Sequence, residues 1–123
     1  GARLLKWSGP TRRPAPAWDS ADEAGEVLRV ADRLFNLGAV ELEADRPLDA
    51  RDLFEDVVEL LPAHYPSWGN LGACYLLLGR FDEARRCFDR ALEIEPGYAA
   101  ARSNRALLDR ELSHADLEVL PSH

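Results

Sequence analysis

The chain has no methionine and only two cysteines among its 123 residues. Cys74 and Cys87 are too few for a disulfide-dense scaffold and stand in no C-x-x-C spacing, so they read as free core thiols in a reducing compartment, the cytoplasm. Apolar residues make up 46% of the chain but never gather into a run long enough to cross a bilayer, so a soluble chain is expected. No segment alternates apolar and polar residues long enough to form a strand. Lysine is nearly missing, with Lys6 alone, and no helical pattern shows a basic face. A body that is net acidic repels phosphate within a Debye length of about 10 Å in moderate salt, which argues against nucleic acid and membrane surfaces as partners. Catalytic apparatus is also missing. His64, His114 and His123 have no second ligand at metal spacing, and no nucleophile elbow, phosphate loop or dinucleotide fingerprint occurs. Acidic pairs such as Asp82 with Glu83, or Asp116 with Glu118, read as solvated helix faces. The expectation is a non-enzyme without metal or cofactor. A start on Gly1-Ala2 in place of methionine suggests a processed product or an excised piece with a cleaved-tag remnant.

What is present is a period. Leu37-Gly38 recurs as Leu71-Gly72, Ala50 as Ala84, Phe54 as Phe88, Glu59 as Glu93 and Pro62 as Pro96, each 34 residues on without a gap. The second copy reads Trp68-Gly69-Asn70-Leu71-Gly72-Ala73-Cys74-Tyr75, then Gly79 to Ala84, Phe88, and Ala91 to Pro96. It matches the W-x2-L-G-x2-Y, A-x3-F and closing proline pattern at every marked position and so resembles a tetratricopeptide repeat. The first copy, 31–64, is more degenerate, with Leu34 in place of Trp68 and Glu41 in place of Tyr75; a third begins near Ala99 and stops after one helix. The resemblance covers roughly residues 31–112 and implies an all-α fold, a right-handed α-solenoid of helix-turn-helix tetratricopeptide repeats with about five helices.

Size alternation along the repeat has a physical reading. Gly72, Ala84 and Ala91 are small where two helices approach, and Trp68, Leu71, Tyr75 and Phe88 are large where a gap must be filled. Ser20 with Glu23 makes a capping-box pattern that opens a long first helix, running to about Ala44. Pro47 and Pro66 suit first turns of the second and third helices. The fourth is expected over 82–95 and the fifth over 98–112, after the Pro96-Gly97 break. Arg102 and Asp109 stand where the second copy has Trp68 and Tyr75, while Ala101, Leu107, Leu108 and Leu112 keep an apolar stripe, so 99–112 reads as a capping helix. The tail 113–123 is expected to add a short helical turn near 115–120 or to pack Leu117, Val119 and Leu120 on a neighbour. With the long first helix it makes a homodimer plausible.

The first 18 residues differ from the body. They hold Arg3, Lys6, Arg12 and Arg13 and no acid, so against a net charge of −7 for the whole the remainder carries −11. This proline-rich leader is aperiodic and expected to be extended. The plainer reading is a loose chain end; the sharper one has Trp7 and Trp18 anchoring it on an acidic helical surface in imitation of a ligand.

On the first helix of each repeat, one face is not used by the signature. It carries Gly69, Asn70, Ala73, Leu76 and Leu77 on the third helix, Phe35, Asn36, Ala39, Leu42 and Glu43 on the first, and Ser103, Asn104, Leu107, Arg110 and Glu111 on the fifth. The resemblance implies that this face lines a concave groove, here apolar, shallow and open. Asn36, Asn70 and Asn104 recur in register, and an amide with donors and an acceptor can pair with the backbone of an extended peptide whatever its sequence, as in the asparagine ladder of some glycosyltransferases. The alternative is that each bonds neighbouring backbone. The basic clamp that such domains use on chaperone tails is missing, since its positions hold Phe35, Ala39, Asn70, Ala100 and Asn104. The function expected is a protein-interaction module whose partner is an apolar or basic extended segment. A small chaperone for a secreted or aggregation-prone client, or the targeting module of a larger enzyme, stand as alternatives.

Overall fold

A computed structural model of the chain describes residues 4–11 and 22–119, with side chains as far as Ser113 in the last helix. The described residues form five helices and no strand: α1 (Glu23–Glu43), α2 (Pro47–Leu60), α3 (Tyr65–Leu77), α4 (Phe81–Ile94) and α5 (Ala99–Val119). Each helix packs on the next, and α1, α3 and α5 also touch in series, so the odd-numbered helices line one side of an α-solenoid and the even-numbered ones the other.

The two hairpin turns are the same turn. After α1 the N–H of Arg46 reaches the carbonyl of Glu41 at 2.9 Å and that of Asp45 reaches Leu42 at 3.0 Å; after α3 the N–H of Arg80 reaches Tyr75 at 2.8 Å and that of Gly79 reaches Leu76 at 3.1 Å. This is a Schellman ending, which requires a left-handed residue just past the helix. Gly79 supplies it at φ 75°, and Asp45 does so at φ 61°. Within each hairpin a glycine lets the helices close. A β-carbon added at Gly38 would sit 2.8 Å from Phe54 Cε1, and one at Gly72 would sit 2.6 Å from Phe88 Cδ1. Phe54 and Phe88 are fully buried, and Gly38 and Gly72 therefore have like surroundings.

Three expectations shift. The N-cap of α1 is Asp22, whose carboxylate accepts the Gly25 N–H at 2.7 Å, in place of the expected Ser20 pair; Ser20 lies outside the described residues. α5 starts at Ala99 and runs on to Val119, well past Leu112, because no proline or glycine interrupts the chain before Pro121. The expected separate turn near 115–120 is the continuation of this helix. The leader is not loose throughout: residues 4–11 lie along the odd-helix side, with Leu5 buried in the core.

Candidate functional site: the concave groove

The groove is built by three asparagines at one register. Asn36 stands on α1, Asn70 on α3 and Asn104 on α5, and each turns its amide toward residues 5–11, a single strand of chain that pairs in no sheet. The contacts come in pairs. Asn104 Oδ1 accepts the Lys6 N–H at 2.8 Å while its Nδ2 donates to the Lys6 carbonyl at 2.5 Å. Asn70 does the same with Ser8, at 2.8 and 2.7 Å. Asn36 does so with Thr11, at 2.8 and 3.3 Å. Because each amide takes one backbone donor and one backbone acceptor of a single residue, the ladder reads main chain and not side chain. Spacing explains why it fits: the rungs fall two and three residues apart, about 7–10 Å of extended chain, close to the about 8–10 Å between packed helices. The strand runs from α5 toward α1, opposite to the helix order.

Apolar and hydroxyl contacts complete the seat. Leu5, at 6% exposure, belongs to one apolar cluster with Ala39, Leu42, Ala73 and Leu107, against which Trp7, Leu76 and Leu77 pack. The Ser8 hydroxyl meets the Tyr98 hydroxyl at 2.5 Å. The Tyr98 ring is set edge-on to Tyr65 with centroids 4.9 Å apart, and burial raises its pKa while the bond to Ser8 opposes that shift. Thr11 Oγ1 donates to Asp32 Oδ1 at 2.9 Å. With residues 4–11 in place Asn70 and Asn104 are wholly buried, and their bonds to Ser8 and Lys6 avoid the about 1–3 kcal/mol that a buried amide without partners costs.

Of the residues expected in the groove, two lie beneath its floor. Phe35 is buried against Phe54 and His64, with centroids 5.7 and 5.2 Å away, and Gly69 lies under the Tyr98 ring, where an added β-carbon would come within 2.6 Å of Cε2. The cause is shared: His64 and Tyr98, themselves 34 apart, fold back from the inter-repeat links over the same register of α1 and α3. Arg110 is exposed. The groove is therefore not the open trough expected, since the chain's own strand fills it. Lys6 is exposed, and Arg3, Arg12, Arg13 and Trp18 lie outside the described residues. Asp32 and Tyr98 were missed by sequence reasoning. Both were findable, Asp32 as one turn before Asn36 on the same face, Tyr98 as the repeat partner of His64.

The opposite side has a second depression of about 470 Å³, lined by Val58, Trp68, Leu71, Tyr75 and Cys87 and rimmed by Glu55, Glu83, Arg86 and Arg90. Tyr75 donates to Glu55 at 2.7 Å there. Among the described residues no group of histidine, cysteine and carboxylate could hold a metal ion, and no helix is long and apolar enough to cross a membrane.

A family model described as tetratricopeptide repeat matches residues 65–98. The chain is 27% identical over 113 residues to Superkiller protein 3 of Saccharomyces cerevisiae, covering 83% of this chain and 8% of that protein. It is 29% identical over 99 residues to the protein O-mannosyl-transferase TMTC1 of Homo sapiens, 76% of this chain and 11% of that one. With the peroxisomal targeting signal receptor of Yarrowia lipolytica it shares 34% identity over 71 residues, 57% of this chain and 12% of that protein. The chain thus spans only a small part of the length of these relatives.

Proposed function

We propose, from the tetratricopeptide repeat that residues 65–98 match, that the concave groove of this chain is a receptor for an extended segment of a partner protein, held by its main chain on Asn36, Asn70 and Asn104. A protein-interaction module is the coarse statement; the groove as its peptide-binding surface is the finer one. One observation carries it: three amides on three helices each pair with both the N–H and the C=O of one residue of an extended chain. Helical neighbours could satisfy isolated asparagines, but they do not call for three in register with a strand laid across them. That one relative is by its printed name a targeting signal receptor supports recognition, and that another is a transferase gives no support for catalysis here, since the matched stretch is 11% of it.

Exchange makes the groove usable. A strand on a continuous chain and one on a partner present the same backbone to the ladder, so a partner enters by replacing residues 4–11. The test is an array of unstructured random peptides probed with the full chain carrying Ser8→Pro, which removes the N–H that Asn70 accepts and so unseats the strand. Binding is expected, and adding Asn36→Ala, Asn70→Ala and Asn104→Ala is expected to abolish it at unchanged helix content. Retained binding in that variant would refute the ladder as the receptor.

A further inference from the structure

Building on the peptide-receptor reading, we infer that the groove selects its partner by three side-chain subsites that residues 4–11 themselves display: a leucine socket, a serine site and a threonine site at intervals of three, L-x-x-S-x-x-T. The main-chain ladder would hold any extended segment, so selectivity must come from side chains that the groove encloses or bonds. Three qualify. Leu5 is almost fully buried in the cluster of Ala39, Leu42, Ala73 and Leu107, and a charge there would lose its hydration without gaining a partner. Ser8 reaches the Tyr98 hydroxyl, whose ring packs on Tyr65 and over Gly69, so that site rewards a hydroxyl that can pair with the phenol. Thr11 donates to Asp32 and also reaches Asn36 Oδ1 at 3.3 Å. A carboxylate only accepts, so this site takes a hydroxyl donor and repels an acidic residue.

The remaining positions are permissive. These are Leu4, Lys6, Gly9 and Pro10, all exposed; Trp7, half-buried against the cluster, adds apolar contact to the seat. The carboxylate of Glu43 lies close to Gly9, 3.4 Å from where its β-carbon would be, so together with Asp32 the rim disfavours acidic segments. The partner is accordingly a neutral or basic extended stretch of another protein with leucine, serine and threonine three apart. Residues 4–11 are the resident competitor that such a stretch displaces.

The experiment is fluorescence anisotropy of a labelled synthetic peptide with the sequence of residues 3–13, titrated with the full chain carrying Ser8→Pro and, independently, with the full chain carrying Leu5→Asp, helicity being checked for both. Both are expected to bind the peptide at least about tenfold more tightly than the unaltered chain, whose groove is filled. Placing Leu5→Asp, or Thr11→Glu, in the peptide is expected to weaken binding about tenfold or more. Lys6→Ala and Pro10→Ala in the peptide are expected to stay within about threefold. If all these peptides bind alike, the side-chain code is wrong and the main-chain receptor stands. If this peptide fails while unrelated array peptides bind, the code is likewise wrong. If nothing binds either variant, both readings fall together. A concentration-dependent dimer of the unaltered chain, abolished by Ser8→Pro, would make a second copy the occupant and overturn the assignment to a different partner.

Discussion

Asp45 and Gly79 hold the same left-handed backbone at equivalent turns, yet only glycine adopts it without a Cβ penalty, which for ordinary residues is about 1–2 kcal/mol. Asp45→Gly is therefore expected to stabilise the chain by about 0.5–1 kcal/mol, and Gly79→Ala to destabilise it by about 1 kcal/mol, read as opposite shifts of the urea midpoint at constant m. A shift of the same sign in both would contradict the equivalence of the turns. The two thiols report burial in another way. Cys74 and Cys87 are each pushed from 9.0 to about 12 by desolvation. Since the folded state keeps these protons to higher pH than the unfolded chain, the stability involved is whole below pH 9.0 and drains away toward about 12. Tyr75, raised from 10.0 to about 12 by burial and then by its bond to Glu55, acts in the same direction. The thermal midpoint should fall over this interval, and fall less steeply in the double Cys74→Ala, Cys87→Ala variant. An unchanged slope would mean that the thiols titrate as in open chain.

At the scale of the helix, equal residues differ by what covers them. Leu71 on α3 is 3% exposed beneath α2, while Leu37, its counterpart on α1, is 49% exposed because no helix precedes α1 in the described stack. Leu71→Ala should cost about 2–5 kcal/mol and Leu37→Ala less than about 0.5 kcal/mol, measured by chemical denaturation. Phe88→Ala, which empties the space that Gly72 makes, belongs with Leu71 at about 3–5 kcal/mol. These elements were legible in the sequence because the 34-residue spacing and the size alternation of Gly38 against Phe54 and Gly72 against Phe88 express one packing twice. Helix ends were less so. Ser20 with Glu23 had the capping-box spacing, but Asp22 caps with its own carboxylate at the same end, and residue types alone do not rank two such competitors. α5 outran its expected end at Leu112 because a falling apolar signal marks where packing stops, whereas a helix stops where its backbone is broken.

For the whole molecule the decisive event is a contact across most of the chain, Lys6 with Asn104, which no local pattern encodes. The asparagine register was readable as a ladder from its 34-residue recurrence. Docking of the leader in imitation of a ligand was legible through Trp7, which packs on the apolar cluster, but its seat on the asparagines was not, because the backbone groups that they bond leave no mark in the leader's composition. The cover over Phe35 and Gly69 was not legible for a related reason, since the rings that lie on them come from the links and not from the helices. The ladder makes a prediction that a merely apolar docking of Leu5 and Trp7 would not. If each amide holds one residue, amide hydrogen exchange should show protection at the N–H groups of Lys6, Ser8 and Thr11, the three that donate to Asn104, Asn70 and Asn36. Asn70→Ala should then erase protection chiefly at Ser8, while a strand held by its side chains alone would keep all three. Because Asn70 is the middle rung, its loss also tests whether the outer rungs grip independently: protection retained at Lys6 and Thr11 would make the seat a sum of local clasps, and joint loss would make it one cooperative strand that a partner must displace whole.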